Sequence, residues 1–96
     1  MAWHLTAEAE EDIIALFIEG HQRFGVIQAE RYHDQLEQTF EFLATHPKAA
    51  PLRDEWTPAI HVHPYGSHVI LYRVDESGDI QIIRVRHGHE DWLRTQ

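Results

Sequence analysis

The chain has 96 residues, of which 43% are hydrophobic and 25% charged, and it contains no cysteine. A chain of this size forms one domain with one core, and the lack of cysteine excludes disulfides and a thiol nucleophile. Sixteen acidic residues against eight lysines and arginines give a net charge of −8, which argues against a protein that holds nucleic acid mainly through phosphates.

The N-terminus predicts a short strand followed by a helix. Residues Ala2 to Leu5 alternate apolar and polar side chains, as in an edge strand. Thr6 suits a helix N-cap, and the acids that follow it suit the positive end of the helix dipole. An apolar stripe at i, i+3 and i+4 starts at Ile13 and predicts a helix over 7–20.

The next segment predicts a second helix. After a loop at 23–25, apolar residues recur at steps of three and four from Ala29 to Leu43, and Pro47 ends the pattern. Two consecutive helices with a short connection form an antiparallel helical hairpin.

The C-terminal half predicts β-structure. A proline-rich loop covers 46–58, and a turn at 75–79 that contains a glycine joins two β-branched runs, which is a hairpin signal. The predicted strands cover 60–63, 68–74 and 80–87, with a short tail at 91–93. We therefore expect one α+β domain over residues 1–96, with the order β-α-α-β-β-β and the helical hairpin packed on one face of a small antiparallel sheet.

Three stretches carry a resemblance to a known family. They are the second helix with its ending at 29–47, the block GSHVILYR at 66–73 and the block IIRVRHG at 82–88 with Asp91-Trp92 after it. In this combination and element order, the sequence resembles the RelE/ParE superfamily of bacterial toxins, and its ParE branch above all. His61 stands where the family pattern leads us to expect an arginine.

The resemblance implies a type II toxin that a cognate ParD-like antitoxin neutralises and that poisons DNA gyrase, without chemistry of its own and without a cofactor. It implies contact with operator DNA only indirectly, through the antitoxin. The apolar runs are far shorter than the roughly 20 residues of a membrane span, and the N-terminus lacks the basic start and apolar core of a secretion signal. We therefore expect a cytoplasmic protein with no membrane partner.

Seven residues are candidates for antitoxin or target binding. Large aromatic residues in loops and arginines on strands are typical of interaction surfaces, and arginine suits the carboxylates of a partner as well as phosphate. The candidates are Phe24, Tyr72, Arg73, Arg84, Arg86, His87 and Trp92. If Arg84 and Arg86 instead have only a structural role, we expect them to pair with acids such as Asp75 or Glu90.

Two other functions fit some of the same residues. In a RelE-like ribosome-dependent nuclease, His87 would transfer protons while nearby arginines hold the phosphate, but the net charge of −8 and the single lysine argue against docking on RNA. The His61/His63 and His87/His89 pairs have the i, i+2 spacing of metal ligands on one strand face. Nine histidines in one chain make such pairs common by chance, so we expect no metal site.

Overall fold

The computed structural model describes residues 2–88, which form two helices and five strands. The predicted tail at 91–93 lies outside the described residues. In chain order the elements are β1 (Trp3–Leu5), α1 (Ala7–Phe24), α2 (Val26–Thr45), β2 (Leu52–Arg53), β3 (Ile60–Tyr65), β4 (His68–Val74) and β5 (Ile80–His87). Neither helix is both long and apolar enough to cross a membrane.

Helix α1 begins as predicted and ends later than predicted. The Thr6 hydroxyl accepts a hydrogen bond of 3.0 Å from the Ala9 amide, so Thr6 is the N-cap. The helix continues past Gly20 to Phe24. Gly20 lies against Ala29, and a Cβ atom placed on it would be 3.6 Å from the Ala29 Cβ. Gly20 therefore lets the two helices approach and does not end α1.

Gly25 is the single residue between the helices. Its φ of 88° and ψ of 165° lie in a region that is almost restricted to glycine. The chain therefore changes direction at one residue, and α2 begins at Val26, three residues before the apolar pattern starts at Ala29. The predicted antiparallel hairpin is confirmed, with a tighter connection than the expected loop at 23–25.

The sheet has the strand order β1-β5-β4-β3-β2. Strands β2 to β5 pair antiparallel, whereas β1 pairs parallel with β5, so the sheet is mixed. Both helices and three strands separate β1 from β5 in the chain, so no tight turn dictates their relative direction. The predicted α+β class with the hairpin on the sheet is confirmed. The structure adds the short strand β2, and the parallel pairing of β1 with β5 differs from the expected antiparallel sheet.

The core lies mainly between the hairpin and the sheet. It includes Leu36, Phe40 and Leu43 of α2 against Ile70 and Tyr72 of β4. A second, smaller cluster covers the other face of the sheet, where Trp56 from the loop before β3 packs on the strands. Each of these side chains contributes about 1.5–3 kcal/mol by leaving water.

Candidate functional site

A groove of about 320 Å³ lies between the closed end of the hairpin and the adjoining ends of β4 and β5. We call it the hairpin groove. Its floor is largely apolar and comes from α1 and α2, while ionisable side chains stand on its rim. The lining residues are Leu16, Glu19, Gly20, Arg23, Phe24, Gln28, Ala29, Tyr32, Ser67, His68 and His87.

The turn between β3 and β4 attaches the sheet to α2 beside this groove. The Tyr65 hydroxyl donates to the Tyr32 carbonyl, and the Tyr32 hydroxyl donates to the Tyr65 carbonyl at 3.2 Å. Burial raises the pKa of Tyr65 to about 12 and also raises the pKa of Tyr32. Gly66 has a φ of 55°, and a Cβ atom there would be 2.5 Å from the Tyr32 hydroxyl, so the position requires glycine.

Two histidines and a carboxylate meet on the groove rim. His68 and His87 are cross-strand neighbours with ring centroids 4.5 Å apart. His87 Nε2 lies 3.4 Å from a Glu19 carboxylate oxygen, and His68 Nδ1 lies 2.9 Å from the Tyr32 hydroxyl. The pKa of Glu19 is lowered, first by the hydrogen bond from Arg23 and also by His87. The rim thus places a charge-bearing carboxylate against an imidazole pair.

Arg84 and Arg86 are directed to Asp12 of α1. The Arg84 guanidinium donates to both Asp12 oxygens, at 2.8 and 3.0 Å, and Arg86 Nη1 lies 3.7 Å from Oδ1. The Val85 amide donates to Asp12 at 3.0 Å, so this carboxylate also satisfies the backbone at the edge of β5. Asp75, a partner expected from the sequence, instead binds Ser77 and Asp79 within its own turn, and Glu90 lies outside the described residues.

Tyr72 and Arg73 end up away from the groove. The Tyr72 side chain is fully buried, its hydroxyl donates to the Pro47 carbonyl at 2.8 Å, and its ring stacks on His61. Arg73 is half-buried, and its Nε has no hydrogen-bond partner among residues 2–88. Tyr72 therefore holds the loop after α2 to the sheet and presents no surface to a partner in this structure.

The remaining candidates divide between the groove and the undescribed C-terminus. Phe24 is 62% exposed and lines the groove, with the Arg23 guanidinium carbon 5.9 Å from its ring centroid. Trp92 lies outside the described residues. Of the seven candidates, the structure thus brings Phe24 and His87 to the groove and places Arg84 and Arg86 on the neighbouring Asp12.

The histidine pairs that were weighed as metal ligands from their spacing have other surroundings in the structure. His61 Nδ1 lies 2.9 Å from the Ala50 carbonyl, and burial lowers the pKa of His63. His89 lies outside the described residues. Within residues 2–88, metal-ligand atoms of three side chains come within 4.8 Å of one another in one group, His33, Asp34 and Glu37 on the outer side of α2, and neither histidine pair belongs to it.

Three groove residues with polar contacts at the rim, Glu19, Tyr32 and His68, were not among the sequence candidates. The helical spacing of Tyr32 predicts a core residue, and the sequence around Glu19 predicts a solvated acidic helix face. His68 opens a strand, and nothing in the local pattern connects it with His87, 19 residues away. Their meeting depends on the pairing of β4 with β5 and on how α1 packs against that edge.

Comparison with known proteins identifies the family. A family model described as the ParE toxin of the type II toxin-antitoxin system parDE matches residues 4–92. The chain is 35% identical to Toxin ParE1 of Mycobacterium tuberculosis over 71 residues, 74% of this chain and 72% of that one. It is 33% identical to Toxin ParE1 of Caulobacter vibrioides over 85 residues, 88% of this chain and 86% of that one.

A solved structure shows the same fold. It is described as the chromosomal ParDE toxin-antitoxin system from P. aeruginosa and superimposes with a TM-score of 0.76 at 19% identity, covering 91% of this chain and 95% of that chain. At that identity the likeness concerns the fold alone. The family model and the two relatives identify the family: this chain belongs to the ParE toxin family of type II toxin-antitoxin systems.

Proposed function

We propose that this toxin acts by binding other proteins, without catalysis: a cognate antitoxin neutralises it by occupying the hairpin groove, and the free toxin poisons DNA gyrase. The family supports a toxin with an antitoxin partner. The main support for the proposed binding site is the groove itself, a largely apolar recess with an exposed phenylalanine on its rim. An apolar recess with a few charged groups around it suits the apolar side chains of a partner segment.

The arrangement of ionisable groups also favours binding over RNA cleavage. Catalysis at a phosphodiester needs cations free to hold the phosphate beside the acid–base group. Here Arg84 and Arg86 are directed to Asp12, and His87 faces the Glu19 carboxylate, which repels a phosphate. A phosphate group would have to displace Asp12 before the arginines of β5 could bind it.

The gyrase target is tested with purified gyrase and relaxed plasmid. We expect added toxin to inhibit supercoiling and to accumulate cleaved DNA, and we expect prior addition of the antitoxin to restore supercoiling. Undiminished supercoiling at micromolar concentrations of toxin that is folded by circular dichroism would contradict the gyrase target. Ribosome-dependent mRNA cleavage would then be the next assay.

The groove is tested separately by antitoxin affinity. Phe24→Ser removes an exposed ring from the groove rim, so we expect the chain to stay folded and the antitoxin Kd to rise by about tenfold. Phe42→Ser is the matched control, since Phe42 is also about half exposed but lies near the other end of α2. Equal effects of the two substitutions would place the antitoxin elsewhere.

A further inference from the structure

Exposed apolar side chains are concentrated on the helical hairpin. Of the eight large hydrophobic residues that are exposed within residues 2–88, five lie between positions 14 and 27, each 45–73% exposed. Single exposed apolar residues are ordinary on a protein surface, but a concentration of them marks an interaction site. These five, Ile14, Ile18, Phe24, Val26 and Ile27, are called the hairpin patch.

The hairpin patch is additional to the core-facing stripes. Helix α1 buries Ala9, Ile13 and Leu16 against the rest of the molecule. Ile14 and Ile18 are four residues apart and lie on the side of α1 that faces away from this stripe. Core packing therefore does not account for them.

The surroundings of the patch are strongly acidic. Residues 7–45 hold nine acids and two arginines, a net charge of −7 out of −8 for the whole chain. Glu11 precedes Ile14 by one helical turn and Glu30 follows Ile27 by one turn, so each lies on the same helix face as its isoleucine. Neither carboxylate has an ion-pair partner within the part of the chain that the structure describes.

The part of the patch at the tip of the hairpin adjoins the hairpin groove. Phe24 lines the groove and belongs to the patch, and Val26 and Ile27 follow it directly across Gly25. A chain segment that leaves the groove at Phe24 therefore meets the patch next.

We propose that the antitoxin segment that fills the groove continues over the tip of the hairpin as a basic amphipathic helix. Its apolar face covers the hairpin patch, and its lysines and arginines pair with the acids beside the patch. This inference rests on the proposed antitoxin partner and adds its chemistry. A second copy of this chain is a poorer occupant, because two identical hairpins of charge −7 would face each other.

The apolar part is tested by titrating the antitoxin against toxin variants. The antitoxin is the purified product of the reading frame adjacent to the toxin gene. We expect Ile18→Ser with Ile27→Ser to raise its Kd by about tenfold or more. Leu52→Ser is the control, since Leu52 is 58% exposed in β2, away from the hairpin; it should change the Kd by less than about twofold.

The charge part is tested by reversing acids. We expect Glu11→Lys with Glu30→Lys to raise the Kd by about fivefold or more at low salt, with the difference shrinking at high salt. Asp54→Lys with Glu76→Lys, which reverses two exposed acids outside the helices, is the charge-matched control. Tighter binding of the antitoxin to the hairpin variant would contradict the inference that the antitoxin helix is basic.

The possible failures are distinguishable. If the antitoxin binds wild-type toxin and both hairpin variants equally well, this inference fails while the proposed function stands. If no antitoxin binding occurs at all, both fail. Sedimentation of the toxin alone adds a further outcome: a dimer that Ile18→Ser dissociates would show that a second copy occupies the patch and would overturn the inference.

Discussion

At the scale of single residues, the turn before β4 shows how one glycine sets the position of two tyrosines. Gly66 adopts a left-handed conformation and lies against the Tyr32 side chain, whose hydroxyl oxygen and two ring carbons are within 3.2 Å of where a Cβ would be. The two tyrosines exchange hydroxyl-to-carbonyl hydrogen bonds across the same contact. The turn is thereby held to α2, which places His68 at the groove.

Gly66→Ala is expected to destabilise the fold by both strain and overlap. The positive φ costs about 1–2 kcal/mol for alanine, and displacing the Tyr32 ring adds a similar amount, so the free energy of unfolding should fall by about 2–4 kcal/mol in urea denaturation. In a Tyr32→Phe background the same substitution should cost less, because the hydroxyl is its closest neighbour. An equal cost in both backgrounds would show that the overlap does not contribute.

At the scale of elements, Asp12 joins α1 to the unpaired edge of β5. Strand β1 covers this edge only as far as Ile82, and just beyond it the Thr6 hydroxyl donates to the Ile83 carbonyl. Asp12 then accepts from the Val85 amide and binds Arg84. A helix carboxylate thus replaces the missing strand and covers an edge that would otherwise be open to another chain.

Asp12→Ala is expected to lower the free energy of unfolding by about 2–3 kcal/mol, because it leaves a largely buried guanidinium and a strand amide without their acceptor. Asp12→Asn keeps an oxygen for the Val85 amide and should cost about half as much. Urea denaturation measures both. A loss below about 0.5 kcal/mol for the alanine variant would mean that water replaces the carboxylate at no cost.

At the scale of the whole molecule, the fold separates charge into two layers. The five strands contain four arginines and no acidic residue, while the two helices and their one-residue connection carry a net charge of −7. Two of these arginines are directed to Asp12 and a third, Arg53, pairs with Glu55 at 2.9 Å. Three of the four strand arginines therefore lie beside carboxylates, and the helices carry most of the net charge.

The same layered packing raises the pKa of all three tyrosines, mainly through burial. A raised pKa keeps the phenol neutral in the folded chain, so this contribution to stability is complete below pH 10.0 and is lost as pH rises toward about 12 for Tyr65. We expect absorbance at about 295 nm to show half-ionisation clearly above pH 10 in the folded chain and near 10 in denaturant. Coincident titrations would contradict this burial.

Local patterns were sufficient for most of the fold. The N-cap at Thr6, the helical stripes and the hairpin turn at 75–79 each depend on residues within a few positions of one another, so their chemistry is visible in the chain. The predicted end of α1 was wrong by four residues, because the pattern alone favours Gly20 as the end of the helix and its contact with Ala29 is visible only in the structure. The two-residue β2 has no periodicity to detect.

The sequence by itself determined the α+β class, the helical hairpin, the main strands and the family, because these are recorded in local spacing and in motifs. Only the tertiary structure decided which side chains share a surface: it buried Tyr72, directed Arg84 to Asp12, and brought Glu19 to His87 and Tyr32 to His68. Those side-chain pairs are 36 to 72 positions apart in the chain. Strand pairing and helix packing bring them together and leave no signal at either residue alone.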